Sequence, residues 1–519
     1  MSVDWHKGLY CSLHILGRYM SWRFLVHLAL LLAAGGIGEE LALASTQIPA
    51  SEILSRMADG QSVHCEGASI MGDLNLSTLP GARAESSLEL INCTVSNASF
   101  DGMTLDKDVI LWGSTFGNAS FDKSRFLGRA DLANTFFYNS SFTGASFDQP
   151  VTFEGAFFLD NVSFEDAQFD KDASFNWAWF QKDANFNYSR FGYYAYFLGT
   201  HFLGKAYFYD VKFQGVLDFS DASFLDKANF FGSTFEAVAG FTNASFSGPA
   251  QFSMTSFGSL SSFGDVLFGG EASFELTRFA DAAYFSGSKF QGDAIFGLAK
   301  FEDIANFQGA AFQGDLNFKG GKISTLLLDG GHWGENCRVI LNDTDFNRLR
   351  VPWREIEDHV VWDPGAYLAL VDNYHRLGWS GDEDDCYYRY RSLDQAGKGW
   401  GWSKAIDFLA WLSCGYGVRP GYAVAWALLT ILIFAMVFWS GDGIRRSAKP
   451  LQGPAEKDAV PERATFRNAL FFSTMIFLSQ GPIDFLPVGR HRYYVILEGI
   501  MGWLLLALFL VTLGRVMIR

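Results

Sequence analysis

The sequence carries none of the short motifs that mark catalytic centres. It has no G-x-S-x-G, no H-E-x-x-H and no phosphate-binding loop. His64, His201, His332, His359, His375 and His491 are scattered, and no pair has helical metal-ligand spacing. The six cysteines, Cys11, Cys65, Cys93, Cys337, Cys386 and Cys414, form no Cys-x-x-Cys pair, which removes the zinc and thiol-redox signatures. Cys65 and Cys93 can pair if their domain is exported; as small buried hydrophobes they need no partner. Basic residues are also short: 40 Lys and Arg stand against 56 Asp and Glu, a formal net charge of −16. A phosphate backbone repels such a surface, so nucleic acid is not an expected partner. These absences argue against an enzyme, a metal site or a cofactor.

What the sequence has in excess is phenylalanine, 52 in 519 residues. Phe153, Phe158, Phe164, Phe169, Phe175, Phe180 and Phe186 open a ladder whose steps alternate five and six residues. It runs without a gap through Phe208, Phe230, Phe252, Phe274 and Phe296 to Phe318. Two residues before each Phe stands a small or aliphatic residue, such as Ala156, Ala167, Ala173 or Val162. Between the pairs lie mostly Asp, Asn, Ser, Gly, Lys and Gln. A helix of 3.6 residues per turn cannot hold this spacing on one face, and a plain strand alternates at two. A coil that turns a corner after each unit can. Each Phe then stacks on the Phe of the next coil, and the array needs many units and capped ends. Gly is placed at the corners, where positive φ is useful.

The A-x-F units, as in Ala119-Ser120-Phe121 and Ala145-Ser146-Phe147, resemble pentapeptide repeats of the Phe-rich kind. That resemblance implies a right-handed quadrilateral β-helix, with two 11-residue units in each four-sided coil. Less regular units at Leu105, Leu111, Phe116, Phe121, Phe126, Leu132 and Phe137 carry it toward residue 95. The β-helix is thus expected over 95–330, roughly ten coils and about 50 Å long. Residues 45–94 read as an N-terminal cap with the first coils, including a short amphipathic helix with Ser51 as N-cap.

After Phe318 the ladder turns aliphatic at Ile323, Leu326 and Leu328, and a helical linker is expected over 331–415. In it Tyr367, Leu370, Val371, Tyr374 and Leu377 share one helical face. Asp382, Glu383, Asp384 and Asp385 open the next helix, where acids suit the N-terminal dipole and a solvated surface. Residues 405–416 suit a helix lying at a membrane interface.

Both ends of the chain address a membrane. Residues 24–38 are apolar, follow Arg18 and Arg23, and precede Ala42-Leu43-Ala44, which predicts a signal peptide or signal anchor over 1–44. Residues 422–440 and 494–513 are long enough to span a bilayer, with Trp and Tyr near their ends. Between them, 465–487 contains an apolar run too short to cross, which suits a re-entrant helix. The stretch Phe471–Pro487 resembles the pore segment of two-helix potassium-channel-type domains, and Glu498-Gly499-Ile500-Met501-Gly502 resembles the start of their inner helix. The family's filter reads Thr-Val-Gly-Tyr-Gly. Here Ser479, Gln480, Gly481, Pro482 and Ile483 stand in its place, followed by Asp484, so the stacked carbonyls of a potassium filter are not expected. The resemblance makes Ser479–Asp484 the pore-lining candidates. Glu498, an ionisable residue at a membrane edge, is either a functional group or a bond to the back of the re-entrant helix or to Arg490 or Arg492.

Arg445, Arg446, Lys449, Lys457, Arg463 and Arg467 follow the first span, whereas Lys398, Lys404 and Arg419 precede it. Positive-inside places the connecting loop in the cytoplasm and the repeat domain outside an inner (cytoplasmic) membrane. Ionotropic glutamate receptors resemble this inverted arrangement. Three readings fit: a channel-like protein with a poorly selective pore, tetrameric if it conducts; a non-conducting anchored scaffold with an extracytoplasmic partner; and a DNA mimic like the gyrase-binding pentapeptide proteins. The expected partners are membrane lipid and further copies of the chain.

Overall fold

A computed structural model describes residues 46–446, 464–481 and 485–517. The expected signal peptide, the basic residues Lys449, Lys457 and Arg463, and the pore candidates Pro482, Ile483 and Asp484 lie outside them. From Gln47 the chain winds through a parallel β-solenoid of about 14 turns. At the usual inter-strand spacing this is about 65 Å of rod. Most strands are two residues long. Trp179 pairs with His201, Ala184 with Ala206, Arg190 with Lys212 and Ala195 with Leu217, so four ladders repeat every 22 residues. Within a strand one side chain faces out and the next faces in, as with exposed Gln168 and buried Phe169.

The interior is a lattice of rings. Phe153, Phe164, Phe175, Phe186, Phe208, Phe230, Phe252, Phe274, Phe296 and Phe318 are all fully buried. Phe230 lies parallel between Phe208 and Phe252, with centroids at 4.8 and 4.7 Å. It meets Phe241 of the neighbouring column edge-on at 5.7 Å and 88°. Stacking along a column and edge contacts between columns are both favourable for the ring quadrupole. The small residue before each Phe leaves room for these rings. At several positions it is a Thr whose hydroxyl reaches a corner carbonyl of the coil before. Thr200 donates to Phe175 O at 2.7 Å, Thr277 to Phe252 O at 2.6 Å and Thr344 to Phe318 O at 2.9 Å. A buried polar atom is tolerated there because it is bonded.

The structure departs from the sequence expectation in several places. The solenoid runs past 330, where Asp345–Arg350 still pairs with Lys322–Leu327, while the pairing of Gln47 with Ser69 lies within the stretch read as the cap and first coils. Aliphatic residues serve the end coils as Phe serves the middle. From Arg83 to Phe158 the coils take 21 residues, with Arg83 opposite Thr104, Thr94 opposite Thr115 and Thr115 opposite Phe136. One corner there has two residues (Tyr138, Asn139) where later coils have three (Gln181, Lys182, Asp183), so Phe136–Ser141 continues as one strand. Positive φ recurs every 11 residues, but only some of these sites are Gly. Asp166, Trp177, Tyr188, Asp210, Met254, Leu276 and Leu298 adopt it too. The cost is about 1–2 kcal/mol per residue, and ladder pairing on both sides imposes it. Cys65 and Cys93, by contrast, are free buried thiols, in keeping with their reading as small buried hydrophobes.

Both ends of the solenoid are capped. Helix α1 (Ala50–Ala58) lays Ala50, Ile53 and Met57 on the first coil. Its N-cap is Pro49 with no side-chain bond, so Ser51 lies within the first turn and does not cap it. At the other end sit α2 (Trp353–Ile356), α3 (Pro364–Leu377) and α4 (Ser380–Gly397). One apolar core runs unbroken from Ala50 to Cys386. Then follow α5 (Trp402–Cys414), α6 (Pro420–Ser440), α7 (Phe466–Phe477) and α8 (His491–Met517). Helix α6 and the His491–Gly514 part of α8 contain 18-residue stretches of mean hydropathy 2.2 and 2.3 and are long enough to cross a membrane.

Candidate membrane-anchoring site

The last coil presents an open ladder edge, and α3 closes it. Asn373 accepts from Leu349 N at 2.9 Å and donates to Leu349 O at 2.8 Å, so its amide stands in for the next strand. Tyr374 donates to Val351 O at 3.1 Å. The apolar face of α3 consists of Ala366, Tyr367, Leu370 and Tyr374; Val371 and Leu377 are half-buried. Burial holds the Tyr374 hydroxyl and the Cys386 thiol of α4 in their protonated forms by raising both pKa values.

The acidic start of α4 is a joint and not a solvated face. Asp382 accepts from Trp353 N at 2.8 Å, tying α4 to the end of the solenoid. Glu383, buried, lies 3.3 Å from His375 of α3. Asp385 receives Arg419 at 2.5 Å, and Arg419 is the residue immediately before α6. The Arg419 guanidinium also lies 5.3 Å over the Tyr388 ring. Asp407, on the inner face of α5, is buried between Arg391 at 2.6 Å and Lys398 at 2.7 Å. Two indole bonds complete the joint, Trp411 to Tyr388 at 2.9 Å and Trp426 of α6 to Leu412 O at 2.6 Å. On the other side of α5, Trp402, Ile406 and Leu409 stand in the open, with Trp400 just before the helix.

Helix α7 packs between α6 and α8. Its first residue, Phe466, touches Trp439 at the end of α6, while Ile444–Arg446 after α6 pairs antiparallel with Phe485–Pro487 before α8. The middle of α7 reaches deeper. Ser473 bridges the Ile431 carbonyl of α6 at 2.9 Å and the carboxyl of Glu498 on α8. Glu498 is fully buried and bonded to the back of α7. At the tip, a Cβ on Gly502 would stand 2.3 Å from Phe477 O, so only glycine lets α8 approach there. Ser479 takes positive φ at 60°. Of the pore candidates, Ser479, Gln480 and Gly481 line a groove of about 550 Å³ with Gly499, Ile500 and Trp503. Among the described residues no three His, Cys, Asp or Glu side chains are placed to hold a metal ion.

Sequence reasoning missed Asn373, Asp385, Asp407 and Arg419 as structural partners. The available signal was a single charge inside the apolar run 405–414, and a polar residue on the apolar face of α3.

Comparison with known proteins bears on the solenoid. The family model described as pentapeptide repeats (9 copies) matches residues 133–178, 197–244, 230–278 and 274–322. Curated proteins and solved structures give no match. Over the matched residues the ring lattice is similar to pentapeptide repeats.

Proposed function

We propose that this chain is a membrane-anchored scaffold that holds a rigid, right-handed quadrilateral rod on the extracytoplasmic side of the inner membrane. In this reading α6 and α8 cross the bilayer, α7 is re-entrant from the cytoplasmic side, and α5 lies at the lipid interface with Trp400 and Trp402 among the headgroups. The observation that carries it is the joint. Asp382 accepts from Trp353 N, where α2 follows the last coil, and Asp385 binds Arg419 at the foot of α6, so the direction of the rod is tied to the direction of the membrane helix. A tether that only retained the rod would need no such coupling. Arg445, Arg446 and Arg467 after α6 favour a cytoplasmic loop. The groove beside Gly499 suits a second copy, giving a homo-oligomer whose partner outside the membrane meets the rod.

Paired periplasmic and cytoplasmic reporters fused near Gln452 and after Arg519 test the orientation. A cytoplasmic loop with an exported C-terminus is expected. A loop that reads as external refutes the orientation and reopens a cytoplasmic partner for the acidic rod.

A second reading, a weakly selective tetrameric pore lined by Ser479–Asp484, is favoured by the short helix α7 held by its neighbours through Ser473 and Gly502. Ion flux from liposomes holding the purified tetramer separates the two. Flux above that of empty liposomes supports the pore, and its absence leaves the scaffold.

A further inference from the structure

The 21-residue coils near the start of the solenoid do more than shorten a turn. With one residue fewer at the same corner, three successive coils run straight through it as Thr94–Ser99, Thr115–Ser120 and Phe136–Ser141. The surface is recessed there, forming a trough of about 350 Å³ parallel to the rod axis. The first coil with the longer corner closes it at Asp160 and Asn161, where a second hollow of about 470 Å³ continues it.

The trough has a repeating chemistry. Asn97 donates to Asp73 at 2.8 Å, Asn118 to Asn97 at 2.9 Å and Asn139 to Asn118 at 3.2 Å. All three asparagines are exposed. A carboxamide has two N–H donors and an oxygen with two lone pairs. The ladder uses one donor of each asparagine, and at most one lone pair of each oxygen, so a donor and an acceptor face solvent at each rung, roughly every 4.8 Å. Ser120 and Ser141 flank the amides and are themselves held by Asp101 and Asp122. At the closed end the Tyr138 ring is 46% exposed. Beside it stands Gly117, whose ideal Cβ would lie 2.6 Å from Ser96 O, so no side chain fills the space next to the ring. The lining holds no Lys or Arg that would attract an anionic polymer, and its amides and hydroxyls alternate with the small apolar surfaces of Leu74, Ala98, Ala119 and Leu159.

We propose that this trough binds a neutral oligosaccharide laid along the rod axis, its hydroxyls paired with the amide ladder and one ring stacked on Tyr138. Vicinal hydroxyls donate and accept at once, which matches the spare groups of each rung, and the C–H face of a sugar ring suits an exposed aromatic face. The inference does not depend on which way the chain crosses a membrane.

The test uses the full chain in detergent. Two probes are titrated, the neutral tetrasaccharides of N-acetylglucosamine and of glucose, with saturation-transfer NMR and calorimetry as readouts. Saturable binding of at least one is expected. Tyr138→Ala and Asn118→Ala should each weaken it about tenfold, equivalent to roughly 1.4 kcal/mol, while Met254→Ala, on a remote corner, should leave it unchanged. Tyr138 is exposed, so that variant keeps the fold even if the ladder variant does not. Absence of binding by both sugars overturns the proposal. So does sugar binding that is indifferent to Tyr138→Ala, or binding of a neutral Gly-Ser hexapeptide in their place.

Discussion

Phe230 and Phe472 are both fully buried phenylalanines, yet they are held in different ways. Phe230 sits in a column whose members are interchangeable, with parallel neighbours above and below at nearly one spacing and edge contacts to the side. Any coil in the middle of the solenoid offers the same environment. Phe472 meets Phe438 edge-on at 5.1 Å in a small cluster with Phe434, Ile444 and Ala469, and among the described residues nothing repeats that arrangement. The solenoid gains order from repetition. The tail gains it from single contacts, Ser473 with Glu498, Gly502 with Phe477 and Arg419 with Asp385. A solenoid can therefore lengthen by adding coils without new design, whereas the tail cannot change one partner without the other.

Four measurements would break or sharpen that contrast. The largest effect is expected for Phe230→Ala, which should lower unfolding stability by about 3–5 kcal/mol through the cavity it leaves. Phe208→Ala and Phe252→Ala should cost nearly the same in denaturant melts. A spread as wide as the effect itself would mean that the coils are not equivalent.

Asn373→Leu removes the amide that ends the ladder and strands the N–H and C=O of Leu349, each worth about 1–3 kcal/mol when buried and unpaired. Hydrogen exchange should accelerate over 345–350 and stay slow in the middle coils. Equal protection everywhere would show that the end of the ladder needs no cap.

Gly502→Val should push α8 away from Phe477 O, at a cost of about 1–3 kcal/mol. Disulfide cross-linking between cysteines introduced at Ile476 and Leu504 should fall in yield while the solenoid's melting is unchanged. Loss of solenoid stability would show the two regions to be coupled.

The smallest effect concerns His201. Burial against Trp179, with ring centroids 4.1 Å apart, lowers its pKa below the ordinary histidine value, and desolvation is the main cause. A depressed folded-state pKa means that the unfolded chain takes up the proton first. The contribution is present above the unfolded pKa and is lost as pH falls from there through the folded value. Melting temperature should therefore drop modestly between neutral pH and about pH 5, and His201→Phe should flatten that part of the profile. An unchanged profile would place the ring in water.

The acids and cations at the solenoid corners add little to this contrast. Arg125 holds the Asp148 carboxyl below its usual range, and Arg338 does the same for Asp315. The cations of both pairs are exposed, and such contacts contribute little to stability.

The sequence by itself determined the solenoid core. Alternating five- and six-residue steps name each inward side chain directly, because burial in a coil depends on position within a short repeat and the same pattern recurs in every turn. The shorter coils before Phe153 were visible as steps of five, but not the trough they make, since that depends on how three corners align across 21-residue offsets. Two membrane-length helices were legible from composition, because apolar length is a local property. Only the tertiary structure decided what Asn373, Asp382, Asp385, Asp407 and Glu498 do. A polar residue on a helix looks the same in sequence whether it faces water or a partner. Asp385 and Arg419 are 34 residues apart, and Ser473 and Glu498 are 25 apart, with no periodicity to link them. Such pairs are fixed by where whole helices come to rest, which is set by the summed packing of their neighbours and by no local rule.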